Sequence, residues 1–294
     1  EITGLVFRGI EPSPRESAYR NKMEYTFGDT GYGELALGLH RKRMRYEISP
    51  VHGCQLVDGD FVTIVDLVLE HCRAIGLPFY HKRTHQGVLR NLVIRKAGTT
   101  GEILIKLVTT SQQELKLEGI ATKLKNLELV GHIVGFLHTI NDGKADTIQA
   151  DAVHVVFGKE TITEHILGLR FQISAFSFFQ TNSHGAEKLF SLVRQFAGPQ
   201  PGLVFDLYCG TGTIAQLLSP LAEKVVGIEI VPEAIEAAKT SARINNLDNC
   251  TFIAGDVLTE LDRLEEQPDL IVLDPPRGGI HPKALEKIMA IGAP

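Results

Sequence analysis

The 294-residue chain is predicted to be an α/β protein: a doubly wound, mostly parallel sheet preceded by an α+β domain with an antiparallel sheet. Three observations carry this. From Phe178 onward, helical and strand-like patterns alternate regularly, the grammar of a parallel sheet. Before that point, strand pairs joined by glycine-rich turns are interspersed with helices, which suits hairpins and an antiparallel sheet. Between the strand-like Leu203-Val204-Phe205-Asp206 and the helix-like Ile214-Ala215-Gln216-Leu217-Leu218 lies Cys209-Gly210-Thr211-Gly212. Glycine lets a backbone turn tightly there and lets a ligand approach without a Cβ in the way.

The length supports two cores, expected as residues 1–170 and 171–294, with the boundary between 165 and 185. Hydrophobic residues at 44% and charged residues at 22% describe an ordinary globular protein, and no apolar run approaches the roughly 18 residues of a membrane span. No membrane association is expected. The four cysteines (Cys54, Cys72, Cys209, Cys250) are scattered without a Cys-x-x-Cys pair, which fits a reducing cytoplasm and no disulfide framework. Residues 1–170 carry 21 Lys and Arg against 20 Asp and Glu, whereas residues 171–294 carry 9 against 15. Any polyanion is therefore expected on the first part, where Arg41-Lys42-Arg43-Met44-Arg45 and His81-Lys82-Arg83-Thr84-His85 are basic clusters. The opening Glu1-Ile2-Thr3-Gly4 has no Met and reads as an internal position of a longer protein.

In the first part, strands are expected at residues 22–28 and 34–39, at 88–95 and 102–109, at 130–137 and at 153–157. The apolar spacing of Phe61, Ile64, Val65, Val68, Leu69 and Cys72 predicts a helix that stops at Gly76 and Pro78. A second helix is expected over 112–127. In the second part, helices are expected at 187–196, 214–221, 232–245 and 282–289, and strands at 203–206, 225–229, 251–254 and 270–273. Pro232 stands at a helix start, where its missing N–H costs nothing.

Acids end or follow successive strands of this second part: Asp206, Glu229, Asp256 and Asp274. Ligands of open α/β sheets bind at such carboxyl ends. An acid about 20 residues beyond a glycine turn is placed to take ribose hydroxyls, and Glu229 meets that spacing. Because Gly210-x-Gly212-x-x-Ala215 also satisfies the dinucleotide fingerprint, the glycines alone leave an NAD(P)-dependent oxidoreductase open. Two features tilt against it: polar Asp206 and Tyr208 crowd the turn, and Asp274-Pro275-Pro276-Arg277 makes a rigid, acceptor-rich loop of the kind used to methylate planar nitrogen or carbon atoms.

Five stretches together match a family: Phe205-Asp206-Leu207-Tyr208-Cys209-Gly210-Thr211-Gly212-Thr213, Gly227-Ile228-Glu229, Leu273-Asp274-Pro275-Pro276-Arg277-Gly278-Gly279, Phe178-Phe179-Gln180-Thr181-Asn182 and Tyr19-Arg20-Asn21-Lys22-Met23-Glu24-Tyr25. Over essentially its whole length the chain resembles the S-adenosylmethionine-dependent RNA (uracil-5-)-methyltransferases, closest to the branch acting on bacterial 23S ribosomal RNA. The resemblance implies a Rossmann-like class I methyltransferase domain with S-adenosylmethionine bound by Gln180, Tyr208, Gly210, Gly212, Glu229, Asp256 and Asp274. Glu229 would hold the ribose hydroxyls, Asp274 would lie between methyl donor and uracil, Gln180 would belong to a segment closing over the cofactor, and Asp256 would lie near the adenine. The implied partner is RNA, ribosomal first and transfer RNA as the alternative, met by a monomer in the cytoplasm.

The implied reaction methylates C5 of a uridine through a cysteine adduct at C6, followed by proton removal by a glutamate. The target base must leave its stack to react. In the family both residues follow the Asp-Pro-Pro-Arg loop at some distance, so they are expected beyond Pro294, leaving no catalytic residue within this chain and no activity in it alone. Cys209 is read as part of the cofactor turn rather than as the nucleophile. Cys54 stands where many ribosomal-branch members place the fourth ligand of a [4Fe–4S] cluster, whose other three cysteines lie upstream. Beside this reading stand an NAD(P)-dependent oxidoreductase, which would bind NAD(P)H instead, and a non-catalytic RNA-binding module, which would bind no cofactor.

Overall fold

A computed structural model describes residues 6–7, 9–31, 33–44, 47–144 and 150–293. The opening Glu1-Ile2-Thr3-Gly4, Arg45 of the first basic cluster and Pro294 lie outside the described residues.

The first part is built on seven strands. They are β1 (Lys22–Asp29), β2 (Leu35–His40), β3 (Ile48–Ser49), β4 (Leu89–Lys96), β5 (Glu102–Thr109), β6 (His132–Ile140) and β7 (Ala152–Gly158), with α1 (Gly59–Ala74) and α2 (Glu118–Lys125) between them. Alternation sets the faces: Met23, Tyr25 and Phe27 of β1 point into a core with Leu92, Ile94, Ile103, Ile105 and Phe136, against Phe61, Ile64 and Val68 of α1. The α1 stripe is the one read from the sequence, and Asp58 caps it by accepting from the Asp60 N–H at 3.0 Å.

The sheet runs β3-β2-β1-β4-β5-β6-β7. All its pairs are antiparallel except β5 with β6, which is parallel, so the expected antiparallel sheet is in fact mixed. The connection between β5 and β6 carries α2, as a parallel pair requires a crossover. That helix is shorter than the predicted 112–127. Gln112 is drawn away from it, donating to the His85 carbonyl at 2.8 Å and accepting from the Gly87 N–H at 3.0 Å.

A hairpin not foreseen from the sequence follows, β8 (Thr161–Ile166) and β9 (Leu169–Ser174). Ile162, Ile166, Phe171 and Ile173 of this hairpin pack with Leu104 and Leu137 of the seven-stranded sheet, and with Ala186 and Phe190 of α3 (Ser183–Ala197).

The last part is a parallel sheet of β10 (Leu203–Leu207), β11 (Lys224–Glu229), β12 (Cys250–Ala254) and β13 (Leu270–Leu273), in the order β12-β11-β10-β13. Helices α4 (Thr213–Leu218), α5 (Pro232–Ile244), α6 (Val257–Glu260) and α7 (Pro282–Ile291) alternate with the strands. β10 is buried at every position, as a central strand covered on both faces must be. The strand order reverses at β10, whose neighbours are β11 and β13. A crevice therefore opens beyond its carboxyl end, the usual ligand position in such sheets.

Candidate active site

The turn after β10 is held by backbone geometry that few residues tolerate. Tyr208, Gly210 and Gly212 have φ of 64°, 55° and 69°, in the left-handed region that favours glycine. The two glycines differ in their surroundings. A Cβ on Gly212 would stand 2.5 Å from the Phe252 ring and 2.9 Å from Ala238, whereas a Cβ on Gly210 would meet nothing within 4 Å. Gly212 thus serves close packing, and Gly210 faces open space.

Several N–H groups of the turn and the start of α4 have partners within the chain. Gly210 donates to Glu229 Oε2 at 3.1 Å and Ala215 donates to Asp206 Oδ2 at 2.8 Å. Gly212 donates to the Cys209 carbonyl at 2.8 Å. Glu229, at the end of β11, also accepts from Val231 N–H through Oε1 at 3.0 Å, so its carboxylate ties the two strand ends together.

Asp206 is 1% exposed, and its Oδ1 is buried with no hydrogen-bond partner. Burial, with Asp274 and Glu229 nearby, pushes its carboxyl up to about 7 against the single helping bond from Ala215. Burial and Asp256 likewise raise the Tyr208 phenol. Asp256 caps α6 by accepting from Leu258 N–H at 3.0 Å, and Asp274 follows β13 on the exposed surface. Six of the seven predicted cofactor residues are thereby at the carboxyl ends of the four strands.

Gln180, the seventh, is far along the chain from the turn. Residues 177–179 just before it line a small cavity with Thr211 of the turn and with Ala237 and Ser241 of α5. The Gln180 segment is anchored from the other side by Asn21, whose side-chain amide donates to the Gln180 carbonyl at 3.0 Å and to Ser183 Oγ at 2.8 Å. The Asn21 N–H adds a bond to the Thr181 carbonyl at 2.8 Å. Two of the five matched stretches, about 160 residues apart, are therefore one piece of structure. Asn21 has a positioning part that sequence reasoning did not assign it. Gly227 was passed over too: a Cβ there would meet the Phe252 ring at 2.8 Å and Cys209 Sγ at 2.9 Å, and a glycine inside an apolar strand is the usual signal of such close approach.

That contact places the Cys209 thiol against β11, and burial, with Asp206 and Glu229, raises it far from the thiolate range. Burial also pushes Cys72 up to about 12 and raises Cys250. Cys54 packs beside the core of the first part. Among the described residues no group of three His, Cys, Asp or Glu could hold a metal. Among the same residues no helix is long and apolar enough to cross a membrane.

A family model described as a methyltransferase domain matches residues 202–294. Over 295 residues, all of this chain and 65% of the relative, the sequence is 49% identical to an uncharacterized RNA methyltransferase of Clostridium tetani. It is 51% identical to one of Clostridium acetobutylicum, again over all of this chain and 65% of the relative. The chain is thus similar over its whole length to proteins of that name. It spans 65% of their length. The fold is also that of the tRNA (uracil-54, C5)-methyltransferase of Pyrococcus abyssi, solved with S-adenosyl-L-homocysteine. That match has a TM-score of 0.78 at 22% identity and covers 96% of this chain and 66% of the other. The residues matched by the methyltransferase-domain model thus include the glycine turn and all four strand-end acids.

Proposed function

We propose that the chain is the central and cofactor-binding portion of an S-adenosylmethionine-dependent enzyme that methylates C5 of a uridine in RNA, with ribosomal RNA the favoured target. The observation that carries the choice of cofactor is the use of the turn's donors. A dinucleotide site presents free N–H groups and a helix N-terminus to a pyrophosphate. Here Gly210 and Ala215 N–H groups already serve Glu229 and Asp206, and Asp274 and Glu229 lie close enough to help raise the Asp206 carboxyl. This edge repels a pyrophosphate and suits a cofactor with a cationic centre.

When bound, S-adenosylmethionine supplies an electrophilic methyl group on a sulfonium. The open space above Gly210 admits the cofactor, and the Glu229 carboxylate, oriented by two backbone N–H groups, accepts from ribose hydroxyls with its remaining lone pairs. Asp274 follows β13 and precedes the rigid Pro275-Pro276 step, and its negative charge would lie beside the methyl donor and the target base. The covalent step uses a cysteine thiolate that adds to C6 of uracil. By the resemblance, C5 would then take the methyl group from the sulfonium with release of S-adenosylhomocysteine, a glutamate would remove the C5 proton, and the thiolate would leave as C5=C6 re-forms. The thiols of Cys72 and Cys209, both raised by desolvation, are unsuited to that step, and the resemblance assigns it to residues that follow the Asp-Pro-Pro-Arg loop.

Calorimetric titration of the chain with S-adenosylhomocysteine and with NADPH tests the cofactor. Binding of the first alone is expected, with at least a tenfold loss in Glu229→Gln; binding of NADPH alone would overturn the reading. Mass mapping of ribosomal and transfer RNA from a deletion strain identifies the uridine.

A further inference from the structure

A cleft of about 390 Å³ lies on the first part of the chain, between β1, the β2–β3 connection and residues 79–82. Its size falls in the range of small-ligand sites. One wall carries the rings of Phe79 and His81, with centroids 6.2 Å apart. Tyr80 and Arg90 also line the cleft: the Arg90 guanidinium stacks on Tyr80 at 4.6 Å while donating to the Asn141 and Gly143 carbonyls at 2.7 and 2.6 Å. The 81–86 loop is closed by bonds from His81 N–H to Gln86 and from His85 N–H to His81, at 2.7 and 2.8 Å. The opposite side presents the polar side chains of Glu24, Thr26 and Asn91.

The lining carries the acids Glu24, Asp29 and Glu47 together with Lys82 and Arg90, and the Arg90 guanidinium is engaged by Tyr80, Asn141 and Gly143, so the cleft offers no surplus of positive charge to a phosphate. Further cations stand beside it. Lys82 is on the lining, and exposed Arg83 follows it. On the other side His40 and Glu47 line the cleft, and Arg41 reaches Glu47 at 3.0 Å, which brings Arg41-Lys42-Arg43 to the rim. The two basic runs, 40 residues apart in sequence, border one cavity. Rings and polar groups on the lining, with exposed cations beside it, match an unstacked nucleobase whose flanking phosphates remain at the surface. A duplex, with its bases stacked inside, offers no such group.

The cleft is also in line with the candidate active site. Asn21, which holds the Gln180 segment, directly precedes β1. The cleft residues of β1 run from Glu24 to Asp29, about 10–27 Å along the strand at ~3.3 Å per residue.

We propose that this cleft is a base-binding subsite for single-stranded RNA flanking the modified uridine. One base lies against Phe79 and His81, and its neighbouring phosphates lie on Arg41-Lys42-Arg43 and Lys82-Arg83. The proposal rests on the RNA methyltransferase reading. Fluorescence anisotropy of the chain with an oligouridylate 12-mer, and with an abasic ribose-phosphate 12-mer, tests it. The oligouridylate is expected to bind more tightly, and Phe79→Leu, which keeps apolar volume but removes the ring, to narrow that gap about fivefold or more. The surface double variant Lys82→Gln/Arg83→Gln is expected to weaken both probes and to reduce the slope of log affinity against log salt by about 1.4. An unchanged gap in Phe79→Leu together with an unchanged slope in the double variant would overturn the subsite, as would no oligonucleotide binding at all. S-adenosylhomocysteine binding, measured on the same samples, reports on the methyltransferase reading separately. Its presence without these RNA effects sinks the subsite alone, and its absence with them sinks the cofactor assignment alone.

Discussion

The two glycines of the turn look equivalent in the sequence and are not equivalent in space. Gly212→Ala forces a methyl into the Phe252 ring at a backbone angle that disfavours alanine, which is expected to cost about 2 kcal/mol or more. Gly210→Ala carries only the left-handed strain, about 1 kcal/mol, because its methyl enters open space. If that space is the cofactor's, Gly210→Ala loses S-adenosylhomocysteine affinity at least tenfold while remaining close to wild type in thermal unfolding. Equal affinity in Gly210→Ala and wild type would argue that the cofactor does not approach the turn there. Asp206 offers a second residue-level test. Its carboxyl, near 3.8 when unfolded, rises to about 7 when folded, so between those values the folded state holds a proton that the unfolded state has lost. Stability therefore falls as pH rises from about 4 to 7, by on the order of 4 kcal/mol from this group. Asp206→Asn keeps an acceptor for Ala215 N–H and removes the titration. Urea unfolding from pH 4.5 to 7.5 should show the variant gaining about 3 kcal/mol on wild type, and parallel profiles would contradict the assignment.

At the scale of elements, what was legible in the sequence is what periodicity dictates. β10, the glycine turn and α4 are read correctly because a buried strand, two glycines and a short helix leave little else to build. The α1 stripe from Phe61 to Cys72 is read for the same reason. The hairpin β8–β9 escaped because the inward positions Ile162, Glu164 and Ile166 include an acid, which breaks the expected apolar face. Glu164 is 0% exposed. It accepts from Gly98 and Thr99 N–H, Thr99 Oγ1 and Ser183 Oγ at 2.7, 3.0, 2.6 and 2.5 Å. Its partners come from a turn and a helix start that no local pattern connects. The carboxylate welds the hairpin to the 98–99 turn and to the start of α3. Glu164→Leu strands those donors in a buried site and is expected to cost about 3 kcal/mol or more in chemical denaturation; a loss under 1 kcal/mol would show that the donors find other partners. The second helix was misjudged for a similar reason, since the use of Gln112 by the 85–87 loop is a tertiary choice.

Across the whole molecule, the candidate site joins residues that the sequence could align but not assemble. Tyr208, Glu229, Asp256 and Asp274 belong to one sheet, whereas Gln180 depends on Asn21 at the entry to the seven-stranded sheet. The cluster of Leu104, Leu137, Ile162, Phe171, Phe190 and Leu217 packs that sheet, the hairpin, α3 and α4 together. Ligand binding at the glycine turn should therefore be felt well outside the four-stranded sheet. A ligand at 100 times its Kd stabilises the folded state by about 2.7 kcal/mol, and hydrogen exchange shows where that stabilisation is distributed. With saturating S-adenosylhomocysteine, slower exchange is expected at the Gly210 and Val231 amides, which Glu229 holds. The same is expected at the Asn21 amide, which donates to Thr181, and at the Ala186 amide, which donates to the Asn182 carbonyl. The His81 and His85 amides, in the loop beside the cleft, should be unchanged. Protection confined to residues 202–274 would remove Gln180 from the cofactor site and reduce Asn21 to a structural tie. In Asn21→Ala, which loses both side-chain bonds to the segment, the protection around Gln180 should vanish while that at Gly210 and Val231 persists, with S-adenosylhomocysteine affinity lowered by the part that the segment supplies.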